Sequence, residues 1–148
     1  MTLRPMLPAD YPQVRALWEA TPGMGLNNLD DTAEGIAKFL SRNPNTCFVA
    51  EKSSGIIGVI LSGHDGRRGF IYHAAVAESE QRGGIGTALV EAAMTALKAE
   101  GIHKVALVAF ASNTMGNAFW EKQGFAVRGD LVYRNKEITA LKRLDNSH

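Results

Sequence analysis

The chain has 148 residues, a length that suits one domain with a real hydrophobic core. With 45% hydrophobic and 21% charged residues it is not a disordered chain, and a formal net charge of +1 argues against nucleic-acid or membrane surfaces as partners. The single cysteine, Cys47, excludes an internal disulfide and suits a reducing cytoplasm, the compartment expected for a chain with no leader pattern and no apolar run near ~18 residues.

Residues 2–6 read as a short strand. Asp10 is a good N-cap, and Val14, Leu17 and Trp18 share one helical face, so a helix is expected over 11–20. The turn Pro22-Gly23-Met24-Gly25 stops it, and residues 23–30 form a loop rich in Gly and Asn. Asp31 or Thr32 caps a second helix striped by Ile36, Phe39 and Leu40, which Asn43-Pro44 ends. Two β-rich runs, 47–50 and 56–61, flank the hairpin signal Lys52-Ser53-Ser54-Gly55. A turn over 63–69 leads into a strand over 70–76. The helix that opens at Ile85 carries Ile85, Leu89, Ala93 and Leu97 on one stripe and ends at Gly101, a C′ glycine. Residues 105–110 are apolar on both faces, as in a covered central strand. Residues 113–122 form a short helix that Gly124 ends, and 127–133 and 137–141 are expected to close the sheet. The order is that of a mixed α/β sandwich, one continuous domain over 1–148.

The stretch Gln81-Arg82-Gly83-Gly84-Ile85-Gly86 lies between that fourth strand and the long helix. Gly84 and Gly86 let the backbone turn tightly and approach a ligand without a Cβ in the way. Successive N–H groups at a helix N-terminus make a concave positive site for a pyrophosphate, and Arg82 adds a cation. A Walker A loop is excluded because Gly86-Thr87-Ala88 lacks the lysine. A dinucleotide fingerprint is excluded by the glycine spacing and by the absence of an acidic residue in 102–110.

The stretch resembles the pyrophosphate loop of the GNAT superfamily of acetyl-CoA-dependent N-acetyltransferases, Arg/Gln-x-x-Gly-x-Gly/Ala. Ala75-Val76 at the strand end, Ser112-Asn113, and the run from Ala118 through Trp120 to Gly124-Phe125 agree with the same family. Residues 63–69 are similar to a YpeA-like bacterial branch. The resemblance implies a mostly antiparallel sheet of six to seven strands with a splayed parallel pair, flanked by four helices. It implies transfer of an acetyl group from acetyl-CoA, with CoA as product, to a primary amine by direct attack in a ternary complex. The alternative is a non-catalytic acyl-CoA-binding sensor or partner module.

Carried onto this chain, Gln81, Arg82, Gly83, Gly84, Ile85, Gly86 and Thr87 hold the pyrophosphate. The strand edge Ala74, Ala75 and Val76 holds the pantetheine arm, with the Ala74 N–H facing the thioester oxygen. Asn113 and Asn117 match family contacts to the arm, although Ser112, Asn113 and Thr114 also suit a helix cap. Trp120 stands where the family often has a tyrosine acid; it is expected to pack on the arm or to be plain core, with Tyr133 an outside candidate for the hydroxyl. Family bases map to Phe70 and Tyr72. Phe70 cannot serve, so Tyr72 acts through a water, while His73 should point to the opposite face unless a bulge shifts the register. Asp65 is a nearby turn carboxylate. The acceptor pocket is expected among Trp18, the 23–30 loop, Tyr72 and the strands after Phe125, with Asp30 and Asp31 attracting the amine. The acceptor is a small molecule or a protein N-terminus, and the chain a monomer or homodimer. His64, His73, His103 and His148 show no ligand spacing, so no metal is expected.

Overall fold

Asp10 directly precedes the first helix, yet its carboxylate does not cap it. In the computed structural model, which describes residues 1–145, that carboxylate accepts the Leu7 N–H and both terminal guanidinium nitrogens of Arg4, each at 2.8 Å. The Arg4 bonds, helped by the Leu7 N–H, outweigh burial and hold the Asp10 carboxyl below its ordinary range. The element order is β1 (Thr2–Pro5), α1 (Tyr11–Glu19), α2 (Ala33–Arg42), β2 (Phe48–Lys52), β3 (Gly55–His64), β4 (Gly69–Val76), α3 (Ile85–Ala99), β5 (Val105–Leu107) and α4 (Thr114–Lys122). Short 3₁₀ turns at Pro8–Asp10 and Glu78–Glu80 complete it. His148 lies outside the described residues.

The strands form one sheet in the order β1-β2-β3-β4-β5, antiparallel up to β4 and parallel between β4 and β5. Side chains of β3 fall into two apolar layers by strand alternation, broken once at Ile57, where the register to β2 shifts. Val59 and Leu61 join Val14, Leu17 and Trp18 of α1 and Ile36 and Leu40 of α2. Ile57 and Ile60 join Ile85, Leu89, Val90 and Ala93 of α3 on the other face. The expected α+β class, parallel pair and four helices are all present.

Two strand expectations are corrected. The β4–β5 ladder covers only Gly69–Ile71 against Val105–Leu107, so β5 ends three residues earlier than its apolar run, while β4 continues to Val76 paired with β3 on its other edge. Residues 127–133 and 137–141 form no strands, leaving five in the sheet among the described residues rather than six or seven. The chain's end makes its backbone bonds to the α1–α2 loop instead: Asn28 N–H to the Lys142 carbonyl at 3.0 Å and Leu144 N–H to the Leu26 carbonyl at 2.8 Å, around an antiparallel bridge between Asn27 and Arg143.

Candidate active site

The backbone between β4 and α3 turns through two left-handed residues, Arg82 (φ 72°) and Gly84 (φ 80°), and Gly84 is the N-cap of α3. A Cβ built on Gly84 would meet nothing within 4 Å, so the concave side of the turn is open. The first N–H groups of α3 lack intrahelical partners and carry the positive end of the helix dipole. Gln81, Arg82 and Gly83 are exposed around this opening, and the Gln81 side-chain amide donates to the Val76 carbonyl at 3.1 Å, closing the loop onto β4. Ile85 and Gly86 are turned inward. Ile85 is core, and a Cβ on Gly86 would lie 3.1 Å from the Phe119 ring, so Gly86 is small where α4 seats on α3. The Thr87 hydroxyl accepts from the Gln123 side chain at 2.9 Å.

Ala77 N–H donates to the Ile57 carbonyl of β3 at 2.8 Å. Backbone alternation then aims the amides of Ala75 and His73 at β3, and those of Ala74 and Val76 at the side from which β5 has diverged. The Ala74 N–H therefore sits on an open strand edge beside the loop. The β3–β4 register jumps from Leu61–His73 to Ser62–Ile71, which makes Tyr72 an extra, bulged residue. The bulge places Tyr72 and His73 on the same face, correcting the expectation that they point apart.

His73 is nonetheless a core residue. Its Nε2 lies 2.8 Å from Asp31 Oδ1, its ring sits 4.9 Å edge-on to Trp18, and its Nδ1 has no partner among the described residues. Asp31 is buried and its other oxygen accepts the Asn27 N–H, so it is not available to attract an amine. Trp18 is fully buried and cannot line an acceptor pocket. Asp30 is exposed. Tyr72 is half-exposed, and burial first, then Tyr133, Asp30 and Asp65, push its phenol above the ordinary value.

Asn113 caps α4 by accepting the Gly116 N–H at 3.0 Å, and the Asn117 amide donates to the carbonyls of Phe110 and Asn113 at 2.9 and 2.8 Å. Both therefore fix the β5–α4 connection. Trp120 packs edge-on between Phe119 and Phe125. An open cleft of about 2410 Å³ runs past Phe39, Phe70, Tyr72, Trp120, Phe125 and Tyr133. Cys47 is buried, with its thiol pushed up to about 12 by burial. Among the described residues no group of three or more His, Cys, Asp or Glu is placed to hold a metal ion, and no helix is long and apolar enough to cross a membrane.

The sequence pattern of the Acetyltransferase (GNAT) family matches residues 11–125. The chain belongs to this family. Acetyltransferase SG1711 of Sodalis glossinidius is 27% identical over 138 residues, covering 93% of this chain and 96% of that one. In three dimensions the fold is similar to Ard1 from Thermoplasma volcanium, with a TM-score of 0.76 at 22% identity over 86% of this chain and 84% of that one. It is also similar to Rv2747 from Mycobacterium tuberculosis, solved with CoA and NLQ, with a TM-score of 0.67 at 20% identity over 87% and 74% of the two chains. As a GNAT acetyltransferase the chain is an acyltransferase whose family uses acetyl-CoA. The open left-handed turn at Gly84 and the unpaired Ala74–Val76 edge fit the phosphate and amide groups of that donor.

Two features of the site escaped the sequence reading. The bulge at Tyr72 leaves no mark in the run Ile71-Tyr72-His73-Ala74, because it is defined by the ladder partner. Asp145, which accepts the Gly25 and Leu26 N–H groups at 3.1 and 2.8 Å, holds the α1–α2 loop from a point more than a hundred residues away in sequence, a pairing that no local pattern marks.

Proposed function

We propose that the chain transfers the acetyl group of acetyl-CoA to a primary amine by direct attack in a ternary complex. The observation that carries this reading is the Ala74 N–H on the splayed β4 edge, beside the open turn at Gly84. The thioester supplies the acetyl group; a C–N bond forms to the amine and the C–S bond to the CoA thiol breaks. The Ala74 N–H donates to the carbonyl oxygen as negative charge develops there, a contribution whose loss typically costs about 3–4 kcal/mol. Gln81, Arg82, Gly83, Gly84 and the first N–H groups of α3 hold the pyrophosphate. Ala75 and Val76 continue the pantetheine edge, and Trp120 packs alongside the arm.

Direct attack is favoured because Cys47, the one thiol, is buried and strongly disfavours its thiolate. The amine must lose a proton. Tyr72, a phenol held protonated at neutral pH, orients a water that carries the proton out through its exposed side.

Gly84→Val tests the loop. A β-branched residue is strained at φ 80° and places methyl groups in the open turn where phosphate oxygens must approach. Calorimetry should show acetyl-CoA affinity falling at least tenfold, roughly, in a variant whose circular dichroism is native. Unchanged affinity in that folded variant removes the assignment.

A further inference from the structure

The bulged residue Tyr72 stands with 53% of its surface exposed at the mouth of the cleft, and it is not an isolated ring. The Phe70 ring lies 4.7 Å away, tilted by 42°, and the Phe39 ring of α2 meets Tyr72 edge-on at 5.5 Å. Phe39 reaches this position because Gly63 has no side chain: a Cβ there would lie 2.7 Å from the tip of the ring. Three rings from two elements thus make a continuous apolar floor.

One carboxylate lines the cleft beside that floor, and a second acts on the Tyr72 phenol. Asp30 precedes α2, and Asp65 is held in the β3–β4 turn by the N–H groups of Arg67 and Arg68, both on Oδ1 at 2.8 Å. Asp65 lines the cleft together with Arg42, Arg68 and Lys104, and Asp30 and Asp65 both add to the rise in the Tyr72 pKa.

The geometry points to an acceptor whose amine is carried on an aromatic or bulky apolar group, its body lying on Phe39, Phe70 and Tyr72 and its ammonium facing Asp30 and Asp65 before it loses a proton. The inference rests on the acetyl-transfer reading above. An aromatic acceptor gains ring–ring contact and buried apolar area, and its ammonium gains the carboxylates and the ring faces. A linear polyamine or an amino sugar gains the carboxylates alone. A free arylalkylamine and a peptide beginning with a large apolar residue share the required chemistry.

Initial rates of CoA release with the full chain separate these acceptors, using phenethylamine, a peptide beginning with Phe, the same peptide beginning with Gly, spermidine and kanamycin. Phenethylamine or the Phe peptide should exceed the other three in kcat/KM by about tenfold or more, and the better of the two names the source. In Phe39→Leu or Phe70→Leu the ratio of aromatic to Gly-peptide kcat/KM should fall about fivefold through KM, with unchanged acetyl-CoA affinity verifying the fold. A preference for spermidine, kanamycin or the Gly peptide overturns the inference and leaves acetyl transfer standing. CoA release with none of the five, in protein that binds acetyl-CoA, overturns the acetyl-transfer reading and this inference with it.

Discussion

Tyr72 and His73 are neighbours on one face of β4, but their surroundings give them different chemistry. Tyr72 is half-exposed and its phenol proton is held more tightly than in a free phenol, which suits the proposed water relay better than a role as the base itself. His73 is packed against Trp18 and bonded to Asp31. Tyr72→Phe keeps the ring and removes only the hydroxyl. It should lower kcat by roughly 10- to 100-fold and leave acetyl-CoA affinity unchanged. The wild-type pH–rate profile should follow the acceptor amine, because the raised Tyr72 pKa puts phenol ionisation above its usual range of about 10. Alternation along β4 set Tyr72 and His73 on opposite faces, and the bulge puts them on one. One inserted residue shifts every side chain after it, and nothing in an unbroken apolar run marks where the shift falls.

Among the elements, α3 and its loop show two glycines doing different jobs. Gly84 needs a left-handed backbone in open space, whereas Gly86 needs room for Phe119. Gly86→Ala should therefore destabilise the fold by about 1–2 kcal/mol in urea titration, as a crowded core does, while the folded protein keeps its acetyl-CoA affinity. Similar affinity losses for Gly86→Ala and Gly84→Val would show that this division is wrong. The four helices were legible because their signals are local. Thr32 accepts the Gly35 N–H, Asn113 accepts the Gly116 N–H, and Gly101 ends α3 at φ 82°. Strand expectations after Phe125 failed because a strand exists only through its partner. Val127, Val132 and Ile138 have strand-like composition, yet they remain exposed and unpaired in any sheet.

At the scale of the whole molecule, the loop that borders the acceptor side is held by the end of the chain. Asp145 receives two N–H groups from Gly25 and Leu26, the latter 119 residues away in sequence, and pairs with Arg143, whose guanidinium lies 4.6 Å over the Phe110 ring at the end of the β5 run. A Cβ on Gly25 would in turn lie 3.3 Å from Phe110, so tail, loop and β5 extension form one packed unit. Burial raises the Asp145 pKa, but the Gly25 and Leu26 N–H groups and Arg143 outweigh it and hold the carboxyl below its ordinary value. A depressed folded pKa means that the stabilisation is fully present above the unfolded value of about 4, and is lost as pH falls through the folded value beneath it. Asp145→Asn should therefore cost about 2 kcal/mol of stability at pH 7, the size of charge-assisted hydrogen bonds. The difference from wild type should shrink toward zero as both proteins are taken well below pH ~3. Urea titrations of the two proteins across that range measure it directly. Because the same loop carries Asp30, the variant at pH 7 should also show a raised KM for the amine with kcat nearly unchanged. A stability difference that stays constant with pH would mean that the side chain's shape, rather than its charge, fastens the tail to the loop.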